Sequence, residues 1–300
     1  MATLQSRHAA LALFVLVCVT AADMPLPFTR ELTLRAPCLN GTDVGLIQLL
    51  VARAVPLGGY APWCYDNATA TAVSAFQRTV GLAPSGTFDA PTAVLALSRL
   101  EEDGWRDNDT APAQLGFKYK IRVDAHLNRS IESTATLFAG NGTAIFSWRA
   151  RAHGADIAGT DPTWPSFSSC CAGASQFARN GNTPSGLMSL DLNSPEDDAK
   201  EFGPWPVNRA VQGLEGNAAF SLPRLRDGIL VHTGEWANYS NWHPPLDMPN
   251  SLGCIHNWPE TIERLWHELV ALGVDVRPNT GGARPYPYAP QGLLAVQLVD

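Results

Sequence analysis

Two stretches decide how this chain is read: Ile229-Leu230-Val231-His232-Thr233-Gly234, and Ser251-Leu252-Gly253-Cys254-Ile255-His256, with Cys254 22 residues after His232. The first is an apolar run opened by Asp227 and Gly228, which predicts a buried strand ending at His232. The second puts a cysteine behind a glycine in a tight turn. A free thiol is only slightly ionised at neutral pH, so an adjacent imidazole must take its proton or stand beside the thiolate as a cation. Such a pair suits acyl transfer, with Cys254 as nucleophile and His232 as base. Backbone N–H groups around Gly253 and Cys254 are the expected oxyanion donors, and Ser251 is a candidate to position them. Beyond the cysteine, Asn257 and Glu260 have capping-box spacing. Ile262, Leu265, Trp266 and Leu269 then form one apolar helical face before Gly273 stops the helix.

With these flanks the segment resembles the L,D-transpeptidase (YkuD-type) catalytic domain, through His232, Gly234, Ser251, Gly253, Cys254, Ile255 and His256. A second match, Asn182-Thr183-Pro184-Ser185-Gly186, resembles the Thr-Pro-x-Gly motif of that fold and precedes a strand over 187–192. The resemblance implies a tetrapeptide stem of peptidoglycan as acyl donor, cut between the L-centre of diaminopimelate and the terminal D-alanine. The acyl group then passes to an amine as a 3-3 cross-link, or to water. His256 and Gly234 are expected at the substrate, together with Trp236 and Trp242 of the spacer between the two motifs, which reads as a lid or subsite wall. Leu252 replaces a histidine common in the family, and His256 a common arginine. A neutral imidazole does not grip a carboxylate as a guanidinium does.

Upstream, three short helical patterns lie within residues 31–100. Val44, Ile47 and Val51 follow Thr42; Val73, Phe76 and Val80 follow Thr69; Val94, Leu95 and Leu97 follow Asp89 and Pro91. This order resembles the bacterial peptidoglycan-binding domain 1 family, through Asp43, Val44, Leu46, Gln48 and Leu49, then Thr71, Val73, Phe76, Gln77 and Gly81, then Ser85-Gly86-Thr87-Phe88. The expected architecture is multidomain α and β: a three-helix module over 31–100, a linker over 101–113, a β-rich YkuD-like catalytic domain over 114–277 and a tail over 278–300. Strands are expected at 118–123, 133–138 and 144–149, with Gly140, Asn141 and Gly142 as a turn. A separate module of this kind would supply wall binding without touching the chemistry.

Residues 1–22 read as a secretory signal, with Arg7 and His8 ahead of an apolar run at 9–20 that is too short to span a bilayer. The expected protein is secreted and has no transmembrane segment. Its net charge is −7, becoming −8 once Arg7 leaves with the signal, which argues against nucleic acid as a partner. Sequons at Asn40, Asn67, Asn108, Asn128, Asn141 and Asn238 suggest a glycoprotein. Without Cys18 an odd set remains, Cys38, Cys64, Cys170, Cys171 and Cys254. A Cys38–Cys64 pair closing one loop leaves Cys254 as the expected free thiol.

No His-Glu-x-x-His or Cys-x-x-Cys spacing and no Gly-rich phosphate loop occurs, so neither metal nor cofactor is expected. His126, His153 and His267 read as structural. Two alternatives stand beside transpeptidation on a peptidoglycan or related glycopeptide partner. One is an L,D-carboxypeptidase that degrades bacterial wall; the other is a catalytically weak wall-binding glycoprotein. NlpC/P60-type peptidases place their cysteine before their histidine, the reverse of the order here.

Overall fold

The computed structural model describes residues 24–154, 175–234, 248–279 and 289–300. The signal segment, Cys170, Cys171, Asn238, Trp236, Trp242 and the rest of the spacer over 235–247 lie outside the described residues. The described chain mixes helices with an eight-stranded sheet.

The helices α1 (Thr42–Ala52), α2 (Asn67–Thr79) and α3 (Ala90–Leu100) come first. Asp66 and Asp89 accept the N–H groups of Thr69 and Thr92, satisfying donors that the first turns of α2 and α3 leave open. The start of α2 therefore differs from the expected Thr69: Asp66 caps the helix, and Thr69 receives the cap. In α3 the buried face is Thr92, Ala93, Ala96 and Leu97, while Val94 is 52% exposed. Small residues carry that face where the sequence reading favoured larger ones. A Cys38–Cys64 disulfide, with Cα atoms 5.7 Å apart, closes the loop ahead of α2, and Cys254 is free.

The strands are β1 (Tyr119–His126), β2 (Ser133–Ala139), β3 (Ala144–Ala150), β4 (Gly186–Asn193), β5 (Val207–Gly213), β6 (Leu230–His232), β7 (Ile255–His256) and β8 (Gly292–Val299). Their order in the sheet is β3-β2-β1-β8-β4-β5-β6-β7. The first four strands fall where the sequence placed them. The expected tail does not: β8 lies mid-sheet, parallel to β1 and antiparallel to β4. Leu293, Leu294, Ala295 and Val296 are fully buried there, so the strand reads as a continuous apolar run without alternation. At the far end, Arg151 and His256 exchange backbone hydrogen bonds of 2.9 Å each way. That bridge joins the chain just past β3 to β7 and curls the sheet towards a barrel. Helix α6 (Pro259–Ala271) seals the core with Ile262, Leu265 and Leu269.

The expected linker is bound along its length. Asp107 pairs with Lys120 at 2.6 Å, both side chains buried, and Asp103 accepts from Ser185 Oγ at 3.0 Å and from the Asn217 N–H at 2.6 Å. Phe177 belongs to the same buried cluster as the helical residues Phe28, Leu46 and Phe76, and Phe220 and Leu225 pack against it. The helices thus share apolar surface with the segments that lead into β4 and β6. Among the described residues no helix is long and apolar enough to cross a membrane.

Candidate active site

The end of β6 and the start of β7 run parallel, with Val231 opposite Ile255 and His232 opposite His256. This register brings the two sequence motifs together. Cys254 directly precedes β7, and its half-buried thiol accepts the Leu230 N–H at 3.4 Å while donating to the Gly228 carbonyl at 3.4 Å. Burial pushes the thiol up to about 11, against the pull of the Leu230 N–H, Arg226 and Arg209.

His232 is 2% exposed. Its Nδ1 sits 2.8 Å from the Thr233 carbonyl, which fixes the proton on Nδ1 and leaves Nε2 as the basic nitrogen. Burial lowers its pKa to about 4, with the Thr233 carbonyl opposing. The resting pair is therefore a neutral imidazole and a neutral thiol. His256, expected at the substrate, is buried, holds the Pro249 carbonyl at 2.9 Å and meets the His232 ring edge to face at 4.9 Å. Burial and its neighbour keep it neutral. Among the described residues, its ring neighbour is His232.

Gly234 is also a packing position. A Cβ there would lie 2.2 Å from the carbonyl oxygen of Glu201, in the helix α4 (Ala199–Phe202). Ser251 organises the turn. Its hydroxyl accepts the Gly253 N–H at 2.9 Å and lies 2.6 Å from the Cys254 carbonyl and 3.2 Å from the His153 carbonyl. Of the two N–H groups expected as oxyanion donors, that of Gly253 is thus bonded to Ser251. Gly253 itself has φ of +107°, and a Cβ would meet Arg226 Nη2 at 1.8 Å, so only glycine fits. Thr183 of the Thr-Pro motif donates to the Gly253 carbonyl at 2.9 Å.

Three residues to which the sequence reading gave no part in the site hold this arrangement. Arg226 sends four hydrogen bonds into the turns around the cysteine. Asn257 donates to the carbonyls of His232 at 3.1 Å and Ile255 at 2.8 Å, stapling β6 to β7; it does not cap α6, whose N-cap is Trp258. Arg151, fully buried, grips Asn250 Oδ1 through Nε at 3.0 Å and Nη2 at 2.7 Å. The Arg224-Leu225-Arg226-Asp227 run has the composition of a solvated loop, so nothing local marked Arg226 as buried. Among the described residues no group of three His, Cys, Asp or Glu side chains is placed to hold a metal.

No family model matches the chain, and no curated protein matches it. Among solved structures it is similar to an L,D-transpeptidase (Yku) from Stackebrandtia nassauensis, at 14% identity and a TM-score of 0.29, over 90% of this chain and 97% of that one. It is also similar to a fused Zn-dependent amidase/peptidase/peptidoglycan-binding domain-containing protein from Clostridium acetobutylicum, at 14% identity and a TM-score of 0.23, over 89% of this chain and 99% of that one. Overlap this shallow says nothing about chemistry.

Proposed function

We propose that the chain is a cysteine acyl-transferase of L,D-transpeptidase type acting on peptidoglycan stem peptides. The observation that carries the reading is the free Cys254 thiol seated against β6, the strand that ends in His232. His232 Nε2 removes the thiol proton, and the sulphur attacks the carbonyl between the diaminopimelate L-centre and D-alanine. With the Gly253 N–H engaged, the Cys254 N–H receives the oxyanion. The imidazolium returns its proton to the departing D-alanine nitrogen, leaving a thioester on Cys254. An amine then attacks the thioester, His232 accepting the amine's proton, and the thiol is regenerated. His256 is the brace that keeps the base ring in place. The helices α1 to α3 are the wall-binding part, and the protein is exported as a glycoprotein: the five sequon asparagines within the described residues are all exposed.

The test is incubation of the exported protein with disaccharide-tetrapeptide, followed by mass analysis. A cross-linked dimer with released D-alanine is the expected product. Tripeptide alone makes the chain a carboxypeptidase, and unchanged substrate overturns the reading.

A further inference from the structure

We propose that Arg226 is a positioning residue of the cysteine site, tying the turn 251–254 to the Thr-Pro turn and setting a fixed positive charge beside the Cys254 thiolate. The proposal rests on the reading of Cys254 as nucleophile. Arg226 is 2% exposed and sits just before β6. Its Nη1 donates to the carbonyls of Gln176 at 2.7 Å and Asn182 at 3.0 Å; Nη2 donates to those of Gly181 and Leu252, each at 3.1 Å. One guanidinium thus ties the stretch 176–182, just before the Thr-Pro motif, to Leu252 of the cysteine turn. Only a planar fork of several donors can do this, and a lysine cannot reach the same set. The space that a Gly253 side chain would fill is occupied by Nη2, so cation and turn are in direct contact.

The charge has a counter-ion from the helical part of the chain, Glu101, whose pKa burial pushes up to about 7, so that it is an anion at pH 8. Glu101, the C-cap of α3, accepts the Gln176 N–H through Oε1, and the Gln176 carbonyl accepts from Arg226. Glu101 and Cys254 both act electrostatically on Arg226, as does Asp227, while Arg129 is a second cation near Glu101. Around the thiol itself Arg209 adds to the effect of Arg226, and Glu201 opposes it. A buried cation favours a neighbouring anion strongly, because little water screens the pair. The line from α3 through Glu101, Gln176 and Arg226 to Leu252 therefore makes the end of the helical segment part of the cysteine site.

Alkylation of Cys254 by iodoacetamide across pH 6–11 reads thiol ionisation directly and needs no peptidoglycan, so its outcome is separate from that of the proposed reaction. Arg226→Met removes the charge at similar length. The expected result is a higher apparent thiol pKa and alkylation at pH 8 slower by about tenfold or more. Glu101→Gln keeps an acceptor for the Gln176 N–H while removing the negative charge, and its expected effect is opposite, a lower thiol pKa and faster alkylation. A purely structural role moves both variants the same way. Folding is checked by circular dichroism, and if Arg226→Met does not fold, Glu101→Gln decides alone. An unchanged or lowered pKa in folded Arg226→Met, or an unchanged or raised one in Glu101→Gln, overturns the proposal.

Discussion

The N–H of Leu230 reaches the sulphur of Cys254 at 3.4 Å, two residues before His232 on the same strand. Nucleophile and base are thereby fixed to one hydrogen-bonded pair of strands, β6 and β7. Cys254→Ala is expected to abolish product formation from disaccharide-tetrapeptide. His232→Ala is expected to lower kcat/KM by about 10²- to 10⁴-fold, the usual range for a lost general base. Wild-type rates from Cys254→Ala would end the cysteine mechanism.

The pH dependence follows from two neutral groups, the buried His232 and the half-buried Cys254. His232 gains its proton only near pH 4, and Cys254 loses its proton near 11. Between these values the pair is neutral, the state competent for general-base attack. Activity is expected to fall on the acid side through about 4, with no step near 6.5. Cys254 alkylation, which reports the thiolate, should climb about tenfold per pH unit from 7 to 10. A plateau in alkylation below pH 8 would instead show a preformed thiolate–imidazolium pair.

Ser251 and Gly253 make a contrast. Ser251→Ala leaves the Gly253 N–H without its 2.9 Å partner, a cost of about 1–3 kcal/mol for a buried donor. Gly253→Ala adds strain at φ of +107° and drives Arg226 out of its place. Thermal melts should rank wild type above Ser251→Ala above Gly253→Ala, with activity following the same order. A Gly253→Ala protein that melts with wild type would mean the turn adopts another shape.

Much of this was legible because period and punctuation agreed. β1 alternates, the Gly140-Asn141-Gly142 turn separates β2 from β3, α6 shows one apolar face, and His232 ends a short apolar run. What escaped depends on long-range pairing. β8 is apolar without alternation because both its faces are covered, which hides it in a chain end. Asn257 has the spacing of a cap, yet its amide is claimed by His232 and Ile255 carbonyls across a strand pair. Arg226 and Arg151 look like solvated charges until the turns they bind close around them. The Cys38–Cys64 pair was readable since both residues fall in one small segment, and the sequence separation of 26 gives the bond about 3.5 kcal/mol in the chain-entropy account. Cys38→Ala with Cys64→Ala should lose about that much in urea denaturation, leaving Cys254 alkylation in the folded protein unaltered.

The helical segment was expected to be a detachable binding module, and the contacts argue against detachment. Phe177 is buried among helical residues, Phe220 stacks on Trp63 at 6.1 Å between centroids, and Arg53 donates to Asn217, whose own N–H and amide are held by Asp103 and Glu101. Deleting residues 24–100 would expose Phe177 and Phe220 and take the α3 helix away from Glu101. A buried phenylalanine alone contributes about 1.5–3 kcal/mol through its apolar area, and natural domains have only about 5–15 kcal/mol to lose. The truncated chain is therefore expected to lose turnover of a small soluble stem peptide along with binding to intact sacculi. Both are measured on the same preparation, with a melt to report folding. Retention of full stem-peptide turnover together with loss of sacculus binding would restore the detachable module, and would also show that the Glu101 end of the network holds its place without the helices before it.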